Sequence, residues 1–414
     1  MDLLTELKNL GQAARLAQSE LARAPGKTRT EALLRIGAAL EASSEAILEA
    51  NSRDLEAAYL PPAKLDRLRL SPQAITELAA GAQAVAAQPD PLGETGPSYV
   101  LTNGLRVSKM RVPLGVIGMI YEARPGATVE AAVLAIKSGN TIILRGGSEA
   151  IRTNQVLASL IQESLAACGL PPEAVALVPF TDREAVSALC QLETIDVMIP
   201  RGGADLVRRV RQEARMPVLA HERGVVHLYV DQGADLAMAQ AITVNAKVQR
   251  PAVCNALETL LVHQEVAPDF LARLGPELKS LGVELRADPL ARVYLPGALP
   301  ATDEDWDTEY LDLILSVRVV ESFEAALEHI SRHTTHHTEA IVTSDYHRAE
   351  RFLNEVDASL VLVNASTRFN DGFQLGLGAE IGISTTKLHA YGPMGVRELT
   401  SEKFIALGQG QIRE

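Results

Sequence analysis

One thiol sets the chemical problem. Cys254 stands in NAKVQRPAVCNALETLLVH (245–263), among Asn245, Lys247, Gln249, Arg250 and Asn255. The backbone led in by Pro251 predicts a helix start at this cysteine. There, first-turn amides and the positive end of the macrodipole lower a thiol's pKa, and Lys247 and Arg250 add positive charge if they fold nearby. Such a thiol is a candidate nucleophile. The other reading is a small core cysteine, against which the polar neighbours weigh. Cys168 precedes a Gly-Leu-Pro-Pro stop and Cys190 lies in an amphipathic run, so both read as buried helix residues.

Two further turns carry chemistry. TIILRGGSEAIRTNQVL (141–157) and DVMIPRGGADLVRRV (196–210) each run from an apolar strand through Arg-Gly-Gly into a helix with an acid in its first turn. Exposed amides at such a turn form an anion site, and paired glycines also serve simply to tighten a turn; both readings stand. No G-x-G-x-x-G occurs in this half, so a dinucleotide would have to bind in another way. His333, His336 and His337 crowd into RHTTHHTEA, but no Cys or acid pattern completes a zinc set, and we expect no metal. Neither a serine-triad spacing nor a P-loop is found.

The elements that must position these residues follow from periodicity. Residues 2–24, 28–58 and 72–88 have helical spacing, with Thr28 or Thr30 as the expected cap of the second run. QPDPLGETGPS (88–98) is a linker, and SYVLTNGLRVSKMRV is a hairpin turning at Asn103-Gly104. From 112 to 213 apolar strands alternate with helices, and a second alternating series runs from 225 to about 363. Near-continuous apolar strands separated by helices imply parallel sheets covered on both faces. The predicted class is α/β, with two doubly wound parallel-sheet domains.

Composition bounds the partners. The chain has 414 residues, 47% of them hydrophobic, enough for two or three domains. A net charge of −13 disfavours nucleic acid and anionic membranes. Three cysteines, no secretory n- or h-region at the start, and no apolar run near the roughly 18 residues needed to span a bilayer point to a reducing cytoplasm.

Motifs spread from about residue 10 to the end resemble one family. VPLGVIGMIYEARPGATVEAAVLAIKSGNTIILRGGSEA (112–150), MIPRGGADLV (198–207), VQRPAVCNALETLLVH (248–263), VESFEAALEHISRHTTHHTEAIVT (320–343) and GLGAEIGISTTKLHAYGPMGVRELTSEK (376–403) are similar to gamma-glutamyl phosphate reductases, a branch of the aldehyde dehydrogenase superfamily. That resemblance implies an aldehyde dehydrogenase-like fold: a cofactor domain from 1–96 and 110–221, a catalytic domain from 222–380, and a β oligomerisation flap with C-terminal segment from 97–109 and 381–414. A homo-oligomer is expected from that flap.

It also implies NADPH-dependent reduction of L-glutamyl 5-phosphate through a thioester on Cys254, with the substrate channelled from glutamate 5-kinase. The residues so implied are Cys254, Asn255 and Glu222 for catalysis; Arg145, Gly146, Gly147, Ser148, Glu149, Gly202, Gly203 and Glu309 for NADPH/NADP; and Arg124, Arg250 and Arg368 for the substrate. The chain departs from the family pattern at Gly126, Arg223, Val226, Val248, Thr334 and Tyr391. Two other readings would keep the fold: an acyl-CoA-dependent aldehyde dehydrogenase and a catalytically silent scaffold.

Overall fold

The computed structural model describes residues 3–413 and divides into two compact units. The first runs to Ala220 and regains Gly376–Gly382 and the stretch from Met394 onward. It begins with five helices, α1 (Leu3–Arg23), α2 (Gly26–Ala42), α3 (Ser44–Ala57), α4 (Pro62–Leu68) and α5 (Pro72–Ala87), followed by the short strands β1 (Tyr99–Val100) and β2 (Arg106–Pro113). The alternating series follows: β3 (Val116–Tyr121), α6 (Gly126–Lys137), β4 (Thr141–Gly146), α7 (Ile151–Ala167), β5 (Val175–Leu177), α8 (Arg183–Cys190), β6 (Val197–Arg201) and α9 (Ala204–Glu213).

Its sheet has the order β5-β4-β3-β6, every pair parallel. β3 and β4 are buried along their whole length, as their unbroken apolar runs require. Leu7 and Ala14 of α1 share a core with Val116, Ile120, Ile143 and Met198 of the sheet and with Val186, Leu189 and Val210 of α8 and α9. Asp2, the expected start of the first run, lies outside the described residues, and α1 is described from Leu3. The 28–58 run is two helices rather than one: Pro25 precedes α2, and the chain breaks at Ser43. Neither threonine caps it; Thr30 Oγ1 instead accepts from Lys137 Nζ at 3.1 Å.

The second unit holds His221–Leu375 and Ile383–Pro393. Its elements are β7 (His227–Val230), α10 (Leu236–Val248), β8 (Thr259–His263), α11 (Ala267–Ser280), β9 (Glu284–Ala287), β10 (Leu299–Pro300), β11 (Ile314–Val320), α12 (Phe323–His333), β12 (Thr338–Val342), α13 (Tyr346–Glu355), β13 (Leu360–Val363), and the small pair β14 (Ile383–Ser384) and β15 (Gly392–Pro393). Seven strands form one parallel sheet in the order β10-β9-β11-β8-β7-β12-β13. Strand alternation sorts its two faces. Leu228, Leu260 and Val262 meet Ile242 of α10 and Phe270 of α11, whereas Tyr229, Leu261 and Ile341 meet Ala326 of α12 and Phe352 of α13.

The flap is a three-stranded antiparallel sheet, β1-β2-β16, closed by the last strand β16 (Thr400–Leu407). β16 pairs with β2 from Thr400↔Pro113 to Leu407↔Arg106. Gly104 turns the hairpin at φ +85, a left-handed value suited to glycine, and Asn103 Oδ1 accepts from Leu105 N at 3.1 Å. The segment 381–414, expected as a single flap-and-tail piece, is divided between the units. Ile381 N and Met394 N donate to Met394 O and Gly382 O, and Asn140 Nδ2 donates to Leu399 O at 2.8 Å, which fastens these stretches to the first unit. Among the described residues no helix is long and apolar enough to cross a membrane.

Candidate active site

Pro251 ends α10 from a distance: the residue before a proline disfavours the helical region, so the chain leaves the helix after Val248 and turns irregularly from 251 to 256. Cys254 lies in that turn. The expected helix start is therefore corrected, because the chain enters the buried strand β8 at Thr259 and leaves too few residues for a helix. The turn is anchored where Leu257 N donates to Ala246 O and Glu258 N to Val226 O. Gly224 lies against it so closely that a Cβ there would stand 2.1 Å from Cys254 O.

The charges around the thiol are also not those expected. Lys247 is buried and bonded to Glu258 Oε2 at 2.8 Å, while Arg250 is exposed. Two histidines take their place. The ligating atoms of His221, Cys254 and His337 all lie within 4.8 Å of one another, and the two rings meet edge to face with centroids 5.2 Å apart. Burial by itself pushes the Cys254 thiol up, but the charges of His337 and His221 and their hydrogen bonds to sulfur outweigh it and hold the thiol well below its ordinary value. Cys190 shows the opposite case: burial pushes it up to about 11.

Each imidazole is held from behind. His221 Nδ1 lies 3.2 Å from Ile383 O, and His337 Nδ1 lies 2.8 Å from Thr338 Oγ1. His337 is fully buried and follows His336, whose φ of 60 is left-handed. The Cys254 and His337 loops are tied together by two asparagines. Asn255 Nδ2 donates to Asn370 O at 2.9 Å, and Asn370 Nδ2 donates to Thr338 Oγ1 at 2.7 Å and His337 O at 3.1 Å. Asn255, expected beside the thiol as a catalytic group, thus has its amide nitrogen committed to the loop at 368–370.

Sequence reasoning missed His221 altogether and grouped His337 with the wrong neighbours. His333 pairs with Asp307 at 2.8 Å, and His336 Nδ1 lies 2.7 Å from Asp357 O. Neither belongs to the Cys254 cluster. The available signal was the polar run ahead of β12, which places His337 directly before a buried strand.

Other expected residues distribute as follows. Glu309 is half-buried; burial raises its pKa, the Cys254 charge raises it further, and the Gly224 amide, His221 and His337 oppose the rise. Glu222 is half-buried next to His221. Arg368 Nε donates to Gln249 Oε1 at 3.1 Å, and burial lowers its pKa while Asp371 and the Cys254 charge support its cation. Arg124 belongs to the first unit.

In the first unit the two Arg-Gly-Gly turns prove different. Gly146 and Gly147 are buried, and side chains there would strike Asn154 Nδ2 at 2.2 Å and Glu149 Oε1 at 2.1 Å. Glu149 faces inward, accepting from Ala123 N at 2.5 Å, where Ala123 has a left-handed φ of 41. Arg145 is turned inward as well: its Nη2 donates to Thr181 O at 2.6 Å and Asp182 O at 3.3 Å. Ser148 is exposed. Gly202 and Gly203 are exposed at the start of α9, with nothing within 4 Å of a Cβ on Gly203. The second turn is open at Gly203 but closed at Gly202, where a Cβ would stand 2.6 Å from Leu206 Cδ2 and 3.2 Å from Glu122 Oε2, and the first is a packed turn.

With parallel α/β units and a histidine-flanked thiol, the chain belongs to the aldehyde dehydrogenase family, whose family model matches residues 5–293. Its relatives narrow the branch to the gamma-glutamyl phosphate reductases. The chain is 57% identical to the gamma-glutamyl phosphate reductase of Meiothermus ruber and 58% identical to that of Thermus thermophilus, each over 99% of both chains. The crystal structure of gamma-glutamyl phosphate reductase from Thermotoga maritima superposes with a TM-score of 0.94 at 44% identity, covering 100% of both chains.

Proposed function

We propose that the chain reduces L-glutamyl 5-phosphate to L-glutamate 5-semialdehyde and phosphate with NADPH, the second step of proline synthesis from glutamate. The observation that carries this reading is the Cys254 thiol between His221 and His337. The similar enzymes of Meiothermus and Thermus bear that substrate in their names. Three free cysteines fit a reducing cytoplasm, where a kinase would supply the acyl phosphate.

Favoured by His221 and His337, the Cys254 thiolate attacks the acyl carbon; a carbon–sulfur bond forms, the carbon–oxygen bond to phosphate breaks, and an enzyme thioester remains. Reduced nicotinamide supplies the hydride that takes this carbon to the aldehyde level. The resulting alkoxide collapses and expels the Cys254 thiolate without an acid at that step, and the one proton the overall reduction consumes goes to the departed phosphate, giving hydrogen phosphate. The same two rings then receive the restored anion. Arg250 and Arg368 are the cations we assign to the anionic ends of the substrate, and Glu222 a positioning role beside His221.

We assign the exposed turn at Gly202 and Gly203, open at Gly203, to a nicotinamide dinucleotide that would meet its amides at the start of α9. For NADPH over NADH we rely on exposed Ser148 and on Arg145, which fixes the 181–182 backbone. Glu309 is assigned to the nicotinamide ribose. If Arg145→Ala leaves the ratio of NADPH to NADH efficiency unchanged, that assignment of Arg145 is wrong. The flap, whose outer β16 edge is unpaired among the described residues, is proposed to complete a sheet between subunits.

The test is phosphate-dependent reduction of NADP⁺ by L-glutamate 5-semialdehyde, with Cys254→Ala in parallel. Activity that requires phosphate and disappears in the variant is expected. Activity that requires CoA instead would replace this reading with an acyl-CoA reductase.

A further inference from the structure

We propose that His221, Cys254 and His337 form a three-ligand site for Zn²⁺, whose occupancy reversibly silences the thiol. One thiolate and two imidazoles are a donor set that favours zinc over the hard cations. Their ligating atoms already lie within 4.8 Å of one another. Tetrahedral zinc, with bonds of about 2.0–2.3 Å, spaces its ligands roughly 3.5 Å apart. Contraction on the order of 1 Å is therefore needed, and the irregular 251–256 turn that carries Cys254 can supply it.

The second observation is how the two rings are held. His337 is fully buried, its Nδ1 is taken by Thr338 Oγ1, and its Nε2 has no nitrogen or oxygen partner. His221 likewise has Nδ1 on Ile383 O. One ring nitrogen on a protein oxygen and the other aimed at a shared centre is the arrangement that orients zinc-ligating histidines. Cys254 is only partly buried, so a fourth position remains for water. The sulfur lone pair that would attack an acyl carbon is the one that would bind the metal, so the two uses exclude each other.

Metal binding to these three side chains can be read independently of turnover. The full chain, stripped with EDTA and kept in thiol-free, phosphate-free buffer, is titrated with ZnCl₂ by calorimetry and with CoCl₂ by absorption. One ion per chain and a near-ultraviolet thiolate-to-cobalt charge-transfer band are expected, with dehydrogenase activity lost on adding zinc and regained with EDTA. Cys254→Ser, and wild type alkylated with iodoacetamide, should lose the band. His221→Asn and His337→Asn should each weaken zinc by about tenfold or more. Cobalt bound without the band, or zinc stoichiometry unchanged by alkylation, overturns the proposal. If the band forms in a chain with no reductase activity, the metal site stands and the reaction assignment falls.

Discussion

A thiol that attacks near neutral pH needs neighbours that favour its anion, and Cys254 has two imidazoles where the sequence suggested a helix dipole. The sign of their effect is testable. Removing a cation from beside a thiolate raises the thiol pKa, so His337→Asn should move the pH midpoint of iodoacetamide inactivation upward. At pH 7 the variant should react more slowly than wild type, and the rates should converge above the ordinary cysteine value of about 8.5. An unmoved midpoint would remove His337 from thiol activation. Cys190, pushed up to about 11 by burial, should stay unlabelled until the protein unfolds.

The elements around this residue are held by close approaches that spacing cannot announce. Gly224 leaves no room for a methyl, since its Cβ would stand 2.1 Å from the Cys254 carbonyl oxygen, a backbone atom that cannot swing aside. Gly224→Ala should therefore displace the thiol and cost on the order of 100-fold in kcat/KM, while the dinucleotide binding proposed for the first unit is retained; full activity would show that the turn tolerates the shift. Behind the turn, Glu258 joins the end of α10 through Lys247 and the 309–312 loop through Leu311 N at 3.2 Å. Burial lifts Glu258 to about 7 against the opposing pull of Lys247. Glu258→Ala would strand a fully buried ammonium, and we expect a loss of about 3–5 kcal/mol, read as a lowered unfolding midpoint of the second unit. The strands and most helices were legible because buried parallel strands and amphipathic helices write their periods into the chain. The triad was not, because His221, Cys254 and His337 come from three loops far apart in sequence, and loop residues carry no period. The Pro251 signal misled for a related reason: it marks an end of α10, and the demand of β8 for its own residues overrode the helix start it suggested.

At the scale of the whole molecule, two alternating series foretold two parallel sheets, but neither strand order nor the return of residues 376–382 and of the stretch from 394 on to the first unit could be read from periodicity. Those depend on contacts between distant segments, such as Asn140 with Leu399. The Asn103-Gly104 signal located the hairpin, yet gave no sign that β16 would pair with β2 over its whole length. That pairing leaves β16 as an outer edge carrying Phe404 and Leu407, each 67% exposed. An unpaired edge with apolar side chains invites another chain to extend the sheet. A net charge of −13 opposes indiscriminate association, which leaves a defined edge as the route to assembly. Phe404→Glu with Leu407→Glu should therefore lower the mass measured by light scattering on a sizing column to that of a single 44.4 kDa chain, while thiol reactivity at Cys254 persists. A wild type that already runs as a monomer, or a double variant that keeps the wild-type mass, would show that assembly does not proceed through this edge.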